Sequence, residues 1–270
     1  MRLTALSVAL LLVAGSGLAV ADDLDDSLDA LKKAEPTKDV AKIKQLAAAV
    51  HAAAQKLQGP PPPEVADKDA YAARQSYAKE VDTYSEYALF ALAVQMQSQP
   101  ATALDLINTL EKQNPKSKYL NEPEALVIQA DNALSKNQTD RALSLANRLI
   151  AVGNGKAPEG EADWDRRKEI ALSRGYWMAG IIQGQKNLYK DSDRNLRAAL
   201  PLIKGNNAML GAALFYLGVD NYNIGKLTLN KAKVLEAAKF SQEAANIQGP
   251  YQDQAYRNAM NIKAEAERMR

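Results

Sequence analysis

Residues 176–200 read YWMAGIIQGQKNLYKDSDRNLRAAL, and the spacing inside them decides the fold class. Tyr176, Ala179, Gly180 and Gln183 fall at i, i+3, i+4 and i+7, which is one face of a helix. Ser192, Leu196 and Ala199 make the same kind of face on a second helix, with residues 187–191 as the polar turn between them. Twelve positions separate the small residue Gly180 from the small residue Ser192. The same offset returns from Ala91 to Ala103 and from Ala130 to Ala142, and a looser copy joins Gly218 to Ala237 across an expanded turn over 226–235. Small residues recurring at one offset across a helix–turn–helix mark where two backbones come close. That is the signature of stacked helical repeats.

Three further units surround the quoted stretch. Tyr87, Phe90, Ala91 and Val94 lead to Ala103, Leu104, Ile107 and Leu110. Pro100 opens that second helix, where a first-turn N–H has no partner to lose, and Pro115 closes it. Leu126, Gln129, Ala130 and Ala133 lead to Thr139, Ala142, Leu143 and Ala146. Leu214, Leu217, Gly218 and Asn221 lead to Ala237, Ser241, Ala244 and Pro250. These residues resemble the tetratricopeptide repeat (TPR), which sets a large residue, Leu-Gly and Tyr on its first helix and Ala, an aromatic, Ala and a closing Pro on its second. The resemblance covers about residues 84–250. It implies an all-α fold: a right-handed TPR-like solenoid of helical hairpins, with N-terminal helices before it and a C-terminal capping helix after it. The units depart from the family's head-to-tail period of ~34 residues. The competing reading is an irregular bundle of alanine-rich helices, because alanine is the best helix former.

The ends and the composition narrow the class. Met1-Arg2-Leu3, an apolar run from Ala5 to Val20 and the small residues Ala19 and Ala21 around Val20 have the layout of a secretory signal peptide over 1–21, cleaved after Ala21. An uncleaved anchor is the alternative, since the run is almost long enough to span a bilayer. The chain has no cysteine, which excludes disulfides, thiolate metal sites, thiol nucleophiles and a lipid-modified cysteine. Aromatic residues are only 6% of the chain, which suits an alanine- and leucine-rich helical array better than a sandwich or barrel. The charge is +2, and +1 once Arg2 leaves with the leader. So balanced a chain lacks the basic excess of a nucleic-acid binder or an electrostatic membrane binder. The resemblance implies an exported protein of the bacterial cell envelope, in the periplasm.

After the leader, residues 22–58 read as an N-terminal helical segment: a short acidic helix ended by Glu35-Pro36, then an amphipathic helix. Residues 59–66 are a proline-rich linker built on Gly59 and Pro60 to Pro63. Residues 67–250 form the repeat domain, interrupted by a long connection at 153–163. Residues 251–270 form the capping helix, with Lys263, Glu265, Glu267 and Arg268 on its polar side.

Catalytic patterns are missing from the sequence. His51 is the only histidine and has no nucleophile or carboxylate at motif spacing. Gly153-Asn154-Gly155-Lys156 is not a phosphate loop, because Ala157 follows where Ser or Thr is needed. The expectation is a non-enzyme without cofactor or metal. In TPR arrays the first helices line a concave face at fixed offsets from the small residue. Carried over, those offsets place Ser85, Ala88 and Leu92 on that face in the first unit. In the third and fourth units they give a partner-binding groove of Arg174, Trp177, Ile181, Phe215, Val219 and Tyr222. Ala88 and Leu92 stand where carboxylate-clamping TPR domains carry Lys and Asn, so a peptide would be held mainly by apolar contact. The same large apolar residues are equally suited to packing against the next repeat. The expected function is a scaffold that presents this groove to another envelope protein or peptide. A self-associating structural subunit is the first alternative, and a hydrolase on a helical scaffold the second.

Overall fold

The computed structural model describes residues 19–60, 67–157 and 162–269. Residues 1–18 of the expected leader, 61–66 of the expected linker and 158–161 of the long connection lie outside the described residues. Among the described residues there are eleven α-helices and no strand. The chain divides into two units, Met1–Ile128 and Gln129–Arg270.

In the first unit, α1 (Ala19–Ala34), α2 (Val40–Lys56), α3 (Lys68–Gln95) and α4 (Pro100–Gln113) pack as successive neighbours. Local chemistry sets their starts. Asp39 caps α2 by accepting from Lys42 N at 3.1 Å, and Asp67 caps α3 by accepting from Asp69 N and Ala70 N. Leu24, Leu31, Ile43, Leu89, Leu106 and Ile107 belong to one core, so the segment before the proline run shares its interior with α3 and α4. This core takes Ser85, Ala88 and Leu92 out of solvent, and Ala91, expected at the close approach, is only half-buried. The side of α3 that a first repeat would leave open is covered here by α2.

The second unit opens in α5 (Pro123–Ser135), which straddles the division. It continues through α6 (Thr139–Gly153), α7 (Trp164–Gln185), α8 (Tyr189–Ala199), α9 (Asn207–Leu227), α10 (Lys231–Ala245) and α11 (Gln252–Arg268). From α6 onward each helix packs on the next, and α7, α9 and α11 also touch in order. Three turns, at 136–138, 186–188 and 228–230, are built alike. Asn137, Asn187 and Leu229 are left-handed, with φ of 55°, 60° and 53°. The next residue's N–H reaches back across the turn: Gln138 to Ala133 O, Leu188 to Gln183 O and Asn230 to Gly225 O, at 2.8–2.9 Å. This is the six-to-one bond of a Schellman cap. The fourth turn is therefore not expanded over 226–235 but has the same three residues as the others. The sequence hid it because a leucine occupies the position that usually falls to Gly or Asn.

The matched glycine stands farther from its turn in the fourth hairpin than in the third. Gly180 lies seven residues before its left-handed Asn187, whereas Gly218 lies eleven before Leu229. Ser192 Oγ sits 2.9 Å from Gly180 O, as the offset of twelve implies. On α9 Gly218 approaches Ser241 and Ala237, a Cβ there standing 3.4 Å from Ala237 O, and Gly225 approaches Val234. A Cβ on Gly225 would stand 2.7 Å from Val234 Cγ2, 2.9 Å from Val234 N and 3.1 Å from Asn230 O. Two of these are backbone atoms that no rotamer change can move.

In an open helix Gly→Ala would gain about 1 kcal/mol. Here Gly225→Ala is expected to cost about 2 kcal/mol net, because α9 and α10 must part. At Gly205 a Cβ would meet no atom within 4 Å, so Gly205→Ala serves as the control. It is expected to stay within about 0.5 kcal/mol of wild type. Urea unfolding of both variants checks this, and a Gly225→Ala protein as stable as wild type would show that the two helices have room to spare.

Candidate partner-binding face

Alternate helices of the second unit are tied side to side by polar and aromatic contacts. Arg174 on α7 pairs with Asp131, and its guanidinium lies 5.6 Å from the centroid of the Trp177 ring. Trp177 Nε1–H donates to Met209 O at 2.9 Å. Met209 lies in the first turn of α9, where Asn206 Oδ1 caps its N–H, so Trp177 anchors the start of that helix. At the far end of α9, Tyr222 donates its hydroxyl to Glu265 Oε2 of α11 at 2.6 Å, and Lys226 pairs with the other oxygen. Hydrogen bonds from Lys226 and then Tyr222 hold the Glu265 carboxyl below the usual range. The bond to Glu265, followed by burial, raises the Tyr222 phenol.

The six expected groove residues fall into three groups. Val219 and Tyr222 are half-buried and, with Asn258, Asn261, Ile262 and Glu265, line a pocket of about 210 Å³ between α9 and α11. Arg174 and Trp177 form the separate cluster with Asp131 and Met209. Ile181 and Phe215 are core residues, 4% and 6% exposed. Ile181 packs with Leu196, Ala212 and Leu217. Phe215 stacks on Tyr251 with centroids 4.7 Å apart and meets the edge of Tyr216 at 5.3 Å. At these two positions neighbouring side chains cover the side of α7 and α9 that the offsets pick out.

Asn258 and Asn261 are the lining residues that the sequence reading missed. Their signal is weak but present: two poor helix formers, three residues apart, on one face of an otherwise favourable helix. Carboxamides so placed offer both donors and acceptors to a peptide backbone.

His51 has a partner that spacing does not reveal. Its Nδ1 lies 2.8 Å from Asp82 Oδ1, and Gln55 Nε2 donates to the other carboxylate oxygen at 3.2 Å. Ser85, a helical turn along, donates to Asp82 O and accepts from Gln113. Its hydroxyl is thus committed away from the imidazole. Among the described residues no cluster of three or more His, Asp or Glu is placed to hold a metal ion, and no helix is long and apolar enough to cross a membrane. Neither a protein-family model nor a curated protein matches this chain.

Proposed function

We propose that this chain is an exported, non-catalytic scaffold of the cell envelope, built as a TPR-like helical repeat, which takes up a segment of another protein or peptide along the face of α7, α9 and α11. The observation that carries the reading is the side-by-side packing of these alternate helices, which leaves the pocket of Val219, Tyr222, Asn258 and Asn261 open on one side. Its chemistry suits an extended peptide. Val219 and Ile262 give an apolar floor, the two carboxamides can pair with main-chain N–H and C=O groups, and Glu265 sits at the rim. Export is supported by the basic start, the apolar run and the small residues at Ala19 and Ala21. The periplasmic assignment rests on the family resemblance alone.

Selection of a random displayed peptide library against the purified full chain tests the reading. Peptides are expected to be enriched, and Asn258→Ala with Asn261→Ala is expected to weaken them about tenfold. Alanine is the better helix former, so α11 should remain folded in the double variant. Enriched peptides that bind the double variant unchanged would place the partner elsewhere. A dimer in light scattering whose formation is lost in the same double variant would support the self-associating subunit instead.

A further inference from the structure

The turn between α9 and α10 breaks two rules at once. Residues 226–232 are exposed in an unbroken run, and within it Leu227 and Leu229 are 78% and 84% exposed. Leu229 is also left-handed, a conformation that places its Cβ against its own carbonyl and that Asn holds in the two sister turns. Neither feature helps the fold. A protruding leucine pair held by unfavourable backbone is the kind of local conflict that marks a site kept for contact.

The surroundings say what kind of contact. The three like turns and the C-terminal end of α11 share one end of the second unit. Lys186 pairs with Asp140 across α7 and α6, Lys226 with Glu265 across α9 and α11, and Lys231 Nζ donates to Met269 O at 2.6 Å. Leu188, 47% exposed, stands in the sister turn. Of the carboxylates at this end, Asp140, Asp191 and Glu265 are each engaged by a cation, Lys186, Arg194 and Lys226, and Glu267 is exposed without an ion pair among the described residues. Lys136, Arg141 and Lys190 are exposed and have no ion pair among the described residues, and Lys231 meets only a carbonyl. A chain that is nearly neutral overall therefore carries an unbalanced positive charge around its most exposed leucines.

We infer that the end of the second unit bearing Leu227, Leu229 and Leu188 docks on an anionic lipid bilayer surface. The turn stands exposed over its whole length, so a protein partner would need a cavity to enclose it, whereas acyl chains part around any small apolar tip. Lysines around its base lie where headgroup phosphates would be, and their attraction falls off within a Debye length. The contact is peripheral, with two or three side chains entering the headgroup boundary. It is independent of the peptide-binding reading, since it uses the ends of the helices and not the face of α9 and α11.

The chain has no cysteine, so one introduced thiol gives a unique probe site. Thr228→Cys, carrying an environment-sensitive fluorophore, reports the tip, and Gly205→Cys reports an exposed loop away from it. This local readout is unaffected by any vesicle binding through the apolar N-terminal run. With phosphatidylglycerol-containing vesicles the label at 228 is expected to shift to the blue, to lose the shift in high salt, and to show none with phosphatidylcholine alone. The label at 205 should not respond. Adding Leu227→Ser and Leu229→Asn should abolish the shift while the protein melts no lower than wild type, because Asn suits a left-handed turn.

No shift at 228, an equal shift at 205, an equal shift on neutral vesicles, or a shift that survives the leucine substitutions would each overturn the inference. So would a dimer dissolved by those substitutions, which would make the occupant a second copy of this chain.

Discussion

Phe215→Ala is expected to destabilise the second unit by about 3 kcal/mol and to loosen α11. The ring is 6% exposed, so its removal leaves a cavity and not merely a smoother surface. It also loses the stacked contact to Tyr251 and the edge contact to Tyr216. Tyr251 immediately precedes α11 and packs on the same core, so Phe215 is what seats the start of that helix. Urea unfolding should give a lower midpoint. Amide exchange should show the first turns of α11 losing protection before α7 does. The opposite pattern, wild-type stability with a lost partner, is what a groove residue would give, and it would return Phe215 to the proposed binding face.

How far the sequence carries depends on the kind of contact involved. The helices were legible because their signals are local. Asp39 and Asp67 cap where capping residues are expected, Pro100 starts α4, and the apolar stripes at spacing 3 and 4 lie where the core lies. The Gly180–Ser192 approach was legible because a three-residue turn fixes the distance between two positions along antiparallel helices. The same reasoning failed on the fourth hairpin at one residue. Leu229 carries no left-handed signal, and without it the turn reads as running over 226–235, although Gly218 and Ala237 do approach each other.

Which side chains cover the expected face of α7 and α9 was not legible. Whether Ile181 or Phe215 is open depends on which side chains arrive from α8 and α11, many residues away. His51 and Asp82, 31 residues apart, met for the same reason: only the packing of α2 on α3 joins them. Asn258 and Asn261 went unread because two poor helix formers on one face of the last helix are as common on a solvated surface as on a lining one.

Asp220→Asn is expected to stabilise the protein above neutral pH and to remove part of its pH dependence. Asp220 is fully buried, on α9, beneath Ser192 of α8 and the end of α7. Ser192 Oγ stands 2.9 Å from Gly180 O and 2.5 Å from Asp220 Oδ2, yet one hydroxyl proton can serve only one of them. A protonated Asp220 resolves the conflict: its O–H donates to Ser192 Oγ, and Ser192 donates to Gly180 O. Among the described residues Asp220 Oδ1 has no partner, which a neutral carbonyl oxygen tolerates better than a buried anionic one. Burial pushes the carboxyl up to about 7, opposed by the Ser192 bond and aided by the charge of Asp193, which itself accepts from Asn221 and Arg197.

The unfolded chain releases this proton near pH 3.8, and the native state keeps it to about 7. Stability from this group is therefore complete below the unfolded value and drains away as pH rises through the folded one. A carboxamide keeps the donor to Ser192 and cannot ionise. The variant should match wild type at pH 4 and exceed it at pH 8 by roughly 2–4 kcal/mol, the linkage equivalent of the shift. Urea midpoints for both proteins across that range give the difference directly. A difference that stays constant with pH would mean that Asp220 is already ionised in the fold, and that Ser192 gives its proton to the carboxylate and leaves Gly180 O without it.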